Sequence, residues 1–253
     1  MNPIHGETKP STPPAPVSVI LIAYNEAETI AGEVEGFYRA VVEKIPGSEL
    51  IVAEDGSTDG TSEILRECAA RLPIRLIQGR ERKGYKQALL DALRLPGREW
   101  VLFSDTGGKF RPEDFWKLEP HRTDADLIVA VKVQRRDQWY RKLMTRVFSL
   151  LVSRYFGVRV RDIDSGFRLF RRELAQAIAG EGLIFRDLIN AEITLRMLGR
   201  GARLREVEVV ATARPGQSRG MPPRRIPEVL AHILSSFPRL RKELRTLSPA
   251  SRR

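Results

Sequence analysis

Residues 50–53, Leu50-Ile51-Val52-Ala53, form an apolar run that suits a strand buried on both faces. The run stops abruptly at Glu54, Asp55, Gly56, Ser57, Thr58, Asp59 and Gly60. Acids crowded at the end of a buried strand cost free energy unless they cap or bind something. In open α/β sheets, ligands sit in the crevice beyond the carboxyl ends of the strands. Asp59 is also placed to cap a helix over 60–71. A second run, residues 17–23, ends the same way in Tyr24, Asn25 and Glu26, with Asn25 placed to cap the next helix. Strand and helix patterns then alternate. Ile30, Val34, Phe37, Tyr38 and Val41 mark a helix over 26–43, and Ile64, Leu65, Cys68, Ala69 and Leu72 mark another. Residues 74–77 read as a strand, 85–95 as a helix, and 100–103, 126–133 and 204–211 as strands. This order implies a parallel sheet with helices on both faces.

The two polar tips, Ala23-Tyr24-Asn25-Glu26 and Glu54-Asp55-Gly56-Ser57-Thr58-Asp59-Gly60-Thr61, together resemble the nucleotide-binding half of the family 2 glycosyltransferases. The usual forms there are Pro-Ala-Tyr-Asn-Glu and Val-Asp-Asp-Gly-Ser-Thr-Asp; here Ile22 replaces the Pro and Glu54 the first Asp. The resemblance implies a GT-A fold, a Rossmann-like and mostly parallel sheet, over residues 17–219. It implies nucleotide-sugar contacts from Ala23, Tyr24, Glu26, Asp55 and Ser57. Residues 78–86 resemble the family's Arg-x-x-x-Gly-x-x-x-Ala segment through Gly84 and Ala88, which adds Lys83, Gly84 and Arg82 on the diphosphate side. A glycine there allows a tight helix entry, and a helix N-terminus favours an anion.

Residues 101–114 depart from the family. A strand there ends in Asp-x-Asp, whose carboxylates hold a divalent metal, magnesium or manganese, against the donor diphosphate. This chain keeps Asp105 and Thr106, but Gly107 stands where the second Asp belongs and Lys109 where a Gln is frequent. Hard cations prefer several oxygen ligands, so a metal site on Asp105 alone is weakened. Two readings stay open: Lys109 supplies the positive charge, or a metal binds through Asp105, phosphate oxygens and water.

In the second half, Arg161-Asp162-Ile163-Asp164-Ser165-Gly166-Phe167-Arg168 resembles the Asp-x-x-Ser-Gly-Phe-Arg motif of dolichyl-phosphate and polyprenyl-phosphate mannosyl- or glucosyltransferases. The resemblance places Ser165, Gly166 and Arg168 on the acceptor side, with Glu192 as a helix acid and Arg135 as a basic residue at a strand end. Residues 214–219 resemble a mobile Arg-x-x-Gly-x-Ser-Lys loop, giving Arg214, Ser218 and Arg219 for phosphates. A polyprenyl phosphate acceptor needs no strong base, because its oxygen is already anionic; a hydroxyl acceptor would need a carboxylate, Asp162 or Asp164. Residues 140–155 carry an apolar helical stripe with Arg141, Lys142, Arg146 and Arg154 off it. Such a helix packs on the sheet or lies in a membrane interface. Residues 224–247 repeat the pattern, with Pro238 placed to break or kink the helix. This basic tail, 220–253, docks on the domain, lies on anionic lipid or makes a homodimer.

Charge is unevenly placed. Of the net +11, residues 132–172 carry +9 and residues 219–253 carry +7, leaving an acidic remainder. The basic second half points to an anionic partner, a lipid phosphate or an anionic membrane surface, itself or through a separate membrane partner. A pI near 10.2 also raises nucleic acid, but interleaved aromatics and a recognisable binding module are missing, so none is expected. Loss of the second Asp leaves a non-catalytic sugar-nucleotide-binding module as a further alternative. One cysteine, Cys68, excludes an internal disulfide and fits a reducing compartment. No run reaches the roughly 18–20 apolar residues that span a bilayer, and residues 1–16, rich in proline, read as a disordered lead-in. The expected place is cytoplasmic, peripheral on the inner face of the membrane.

Overall fold

A computed structural model describes residues 14–133, 139–210 and 223–247. The apolar runs pair into one seven-stranded sheet. Its strands are β1 (Val17–Ala23), β2 (Glu49–Glu54), β3 (Arg75–Gln78), β4 (Trp100–Asp105), β5 (Leu127–Val133), β6 (Phe167–Arg171) and β7 (Leu204–Val210), in the order β3-β2-β1-β4-β6-β5-β7. All pairs are parallel except those of β6, which runs antiparallel between β4 and β5. The expected mostly parallel sheet is therefore observed, and β6 is an addition: its sequence, Phe-Arg-Leu-Phe-Arg, is too short to announce a direction.

Both faces of the sheet are buried. Alternate residues of β1 serve two cores: Ile20 and Ile22 face one, Val19 and Leu21 the other. The second core is closed by α1 (Ile30–Phe37), α2 (Thr61–Arg71) and α4 (Phe115–Leu118). The first is closed by α3 (Tyr85–Ala92), α5 (Trp139–Phe156), α6 (Arg172–Ala179), α7 (Ile189–Gly199) and α8 (Ile226–Leu247).

Four expectations need correction. The helix expected over 26–43 begins at Ile30 and passes into a π-helical turn, Tyr38–Val42. Asn25 does not cap it: its backbone is left-handed, φ 53°, and its side chain accepts from Thr58 N at 2.8 Å. Asp59 does not occupy the cap position of α2, which Gly60 takes; it reaches Thr61 N at 3.1 Å and Ala27 N at 3.2 Å, tying two loops together. Pro238 does not break α8, which runs through it for 22 residues. Proline removes one hydrogen bond there, while packing on both sides of it keeps the helix in place.

The two amphipathic helices divide their apolar residues. On α5, Phe148 and Val152 are buried and Tyr155 packs on Phe237, whereas Val147, Leu151 and Leu150, the last 69% exposed, face outward. On α8, Val229, Ile233, Phe237 and Leu240 enter the core. A buried ion cluster locks α8 down: Arg196, 2% exposed, pairs with Glu192 and Glu243 at 2.7 Å each and with Glu181 at 3.0 Å. Of the three fates left open for the tail, α8 takes docking on the domain. Among the described residues no helix is long and apolar enough to cross a membrane. The Cys68 thiol is buried, as its place in the α2 pattern implies. At the start of the described chain, the Ala15 carbonyl accepts from Arg122 at 2.7 Å.

Candidate active site

The carboxyl ends of β1, β2 and β4 lie side by side because the three strands are parallel neighbours. Their polar tips interlock. Ser57 Oγ accepts from Asn25 N at 3.0 Å, and Thr61 Oγ1 accepts from Glu26 N at 2.9 Å. Asp55, buried, accepts from Lys83 N at 2.8 Å and Gly84 N at 3.0 Å, so it caps the entry to α3 across the sheet. Gly56 has φ 69°, and a Cβ there would lie 2.6 Å from Arg82 N; only glycine lets the two loops meet. The Arg82 guanidinium stacks over the Tyr24 ring, 4.1 Å from its centroid. Glu54 is buried, bonded through one oxygen to Ser57 N, and its other oxygen has no protein partner. Lys83 pairs its ammonium with Asp91 at 3.0 Å, and its backbone N is the part that meets Asp55.

At the end of β4, Asp105 receives the motif of the second half. Asp105 N donates to Gly166 O at 2.7 Å. The carboxylate presses on Gly166 so closely that a Cβ there would stand 2.1 Å from Asp105 Oδ2. Asp105 Oδ1 accepts from the Tyr85 hydroxyl at 2.8 Å, and Lys109 Nζ lies 3.4 Å from Oδ2. Thr106 points inward, its hydroxyl on Ile22 O at 2.8 Å. Gly107 N and Gly108 N both donate to Glu33 Oε1, at 2.7 Å each. Burial raises the Glu33 pKa, with those two bonds opposing it.

Asp164 Oδ1 accepts from Ala191 N at 3.0 Å. Burial, then the nearby charge of Asp105, push its pKa up to about 7. Asp162 is buried beside it. Ser165 Oγ donates to Ala130 O at 2.6 Å. Arg168, 1% exposed, spends its guanidinium on Ser165 O, Asn190 O and Thr194 Oγ1. Burial lowers its pKa, while Tyr85, Asp164, Asp105 and Asp162 oppose that shift. Arg168 is thus the counter-ion beneath three acids, bonded to backbone and to Thr194. Glu192 likewise leaves the acceptor role: it is fully buried, holding Ile184 N at 3.0 Å, Phe185 N at 2.6 Å and Arg196. Arg135, Arg214, Ser218 and Arg219 lie outside the described residues.

Three participants are absent from the sequence-based set: Glu33, Tyr85 and Asn190. Tyr85 follows Gly84 at a helix start, a position where a hydroxyl faces the strand ends; that signal was available. Glu33 and Asn190 sit on helices whose facing is a tertiary fact.

The sequence profile described as glycosyl transferase family 2 matches residues 18–179. The chain belongs to glycosyl transferase family 2. Three curated relatives illustrate its neighbourhood. The undecaprenyl-phosphate 4-deoxy-4-formamido-L-arabinose transferase of Serratia proteamaculans is 25% identical over 165 residues, 64% of this chain and 51% of that protein. The dolichol-phosphate mannosyltransferase of Pyrococcus furiosus is 26% identical over 228 residues, 86% of this chain and 62% of that protein. The glycosyltransferase AglJ of Haloferax volcanii is 27% identical over 217 residues, 81% of this chain and 66% of that protein. The chain spans about half to two thirds of the length of these relatives. Among solved structures, glucosyl-3-phosphoglycerate synthase of Mycobacterium tuberculosis, bound to phosphoglyceric acid, superposes with TM-score 0.68 at 22% identity, covering 88% of this chain and 80% of that one. The same synthase bound to Mn2+, UDP and glucosyl-3-phosphoglycerate gives TM-score 0.65, again at 22% identity and the same coverage. The chain therefore has the GT-A fold.

That neighbour holds Mn2+ with UDP, so the fit of a metal here is a fair question. The described residues contain no group of three or more His, Cys, Asp or Glu that could hold one. Asp105 has Oδ1 on the Tyr85 hydroxyl and Oδ2 beside Lys109, Gly107 offers no side-chain ligand, and Glu33 is spent on the backbone N–H groups of Gly107 and Gly108. Among the described residues Asp105 alone is a weak donor set for a divalent ion, so a metal held there would lean on phosphate oxygens and water.

Proposed function

We propose that this glycosyltransferase moves a sugar, with inversion, from a nucleotide-sugar donor to a polyprenyl phosphate, undecaprenyl or dolichyl, at a membrane surface. One contact carries the reading: Asp105 N to Gly166 O at 2.7 Å, with the carboxylate packed on Gly166. It joins the donor end of β4 to the loop that resembles the acceptor motif, so both substrates would meet in one cleft. The acceptor phosphate oxygen would attack the anomeric carbon as its bond to the donor diphosphate breaks. That oxygen is already anionic, so positioning and charge suffice and no proton need move. The departing diphosphate needs positive charge, and Lys109, held 3.4 Å from Asp105, is the described cation at that point. Arg135, Arg214, Ser218 and Arg219 are the remaining phosphate candidates. The names of the curated relatives and the basic second half support a lipid phosphate acceptor. The outward Val147, Leu150 and Leu151, beside exposed Arg146 and Arg154, suit a cytoplasmic enzyme resting on the inner face of an anionic membrane.

A second reading, a hydroxyl acceptor, is favoured by Asp164. A carboxylate with a pKa of about 7 is suited to take a proton. One experiment separates the two: a panel of nucleotide sugars with and without undecaprenyl or dolichyl phosphate, each in excess chelator and in magnesium or manganese. The expected result is a lipid-phosphate-linked sugar that persists in chelator. Activity lost in chelator and restored by metal would overturn the role given to Lys109. No lipid product, with transfer to a hydroxyl compound, would favour the second reading. No turnover with any donor would end both.

A further inference from the structure

The donor and acceptor halves are also joined through Tyr85 and Asn190, neither of which is a matched motif residue. Asp105 Oδ1 accepts from the Tyr85 hydroxyl at 2.8 Å, and the Tyr85 oxygen accepts from Asn190 Nδ2 at 2.9 Å. Tyr85 opens α3, Asp105 closes β4 and Asn190 lies in α7, so the chain of bonds ties three distant elements. Its direction is fixed by proton count. An ionised Asp105 can only accept, and a phenol has one proton, which therefore goes to Asp105. The Tyr85 oxygen is left to accept, and only the amide nitrogen of Asn190 can donate to it. A flipped Asn190 amide would set two acceptors face to face. As placed, Asn190 Oδ1 is buried with no protein partner. A buried acceptor left without a partner destabilises the fold, which a residue serving stability alone has no reason to carry.

The other restraints on Asp105 act elsewhere on the group. Gly166 blocks one side of the carboxylate and bonds its backbone N, while Lys109 stands at Oδ2. Only Tyr85 holds Oδ1 among the bonds of the described residues. We propose that Tyr85 and Asn190 are positioning residues for sugar transfer: Asn190 orients the Tyr85 hydroxyl, and that hydroxyl turns Asp105 so that Oδ2 faces Lys109 and the donor. The idea rests on the transferase reading above, because it concerns how Asp105 is presented to a donor.

The test compares Y85F, N190A and the double variant with wild type, using the nucleotide-sugar panel for kinetics. A loosened Asp105 should lower kcat by about tenfold while the donor KM stays within about threefold, since the interaction matters most as charge develops. Asn190 acts through Tyr85, so the double variant should be no slower than Y85F; independent structural losses would multiply instead. Thermal unfolding should show Y85F as stable as wild type within a few degrees. Wild-type kcat in Y85F, or multiplied losses in the double variant, would overturn the proposal. If wild type turns over no donor, the transferase reading falls, and an ultraviolet pH titration then judges the relay. One phenol should ionise later than the others in wild type and vanish in Y85F. A wild-type titration with no late phenol would remove the bond on which the proposal stands.

Discussion

Replacing Gly166 by alanine tests the contact that unites the two halves of the site. An ideal Cβ on Gly166 would stand 2.1 Å from Asp105 Oδ2, 2.3 Å from Cγ and 2.9 Å from Cβ. Ordinary contacts of this kind are about 3.4 Å or longer, so something must move by about 1 Å. The backbone of Gly166 has no positive φ, so alanine is conformationally tolerable there and the objection is steric alone. The loop cannot simply retreat, because Gly166 O accepts from Asp105 N at 2.7 Å. The carboxylate cannot simply rotate, because Oδ1 is bonded to Tyr85. Overpacking of this degree costs about 1–3 kcal/mol, and a catalytic group displaced by about 1 Å loses about 100-fold in rate. Urea denaturation and steady-state kinetics of G166A measure the two effects. G182A is the control, since a Cβ at Gly182 meets nothing within 4 Å; it should change stability by less than about 0.5 kcal/mol. G166A matching G182A in both measurements would refute the packed contact and the single-cleft reading together.

Three other outcomes follow from the same geometry. R196M should cost about 3–5 kcal/mol in urea denaturation, because it leaves Glu192 buried and uncompensated, and an apolar pair, E192L/R196M, should recover part of it. Asp164 carries a folded-state pKa raised from 3.8 to about 7, so the folded chain binds that proton more tightly than the unfolded chain; its contribution to stability is fully present below pH about 4 and is lost as pH rises to about 7, so wild type minus D164N stability should fall across that window. L150E should weaken sedimentation with anionic vesicles several-fold while leaving the unfolding midpoint unchanged, since Leu150 is exposed and makes no core contact that the change could break. Equal vesicle binding by L150E would remove α5 from the membrane reading.

The sequence by itself determined the layered α/β sheet, the acids at the ends of β1, β2 and β4, and the family those tips indicate. Each is a local property: an apolar run, a period, a tip of turn formers beside carboxylates. It also marked α5 and α8 as one-sided, because periodicity reports that a face is covered. Periodicity does not report what covers it. Only the tertiary structure put α8 into the core through Arg196 and Glu243, sent Glu192 and Arg168 inward, and brought Glu33 to Gly107 and Gly108 across 74 and 75 residues. The meeting of Tyr85, Asp105, Gly166 and Asn190 was decided the same way, since a carboxylate's role depends on which donors and charges surround it after distant segments have packed.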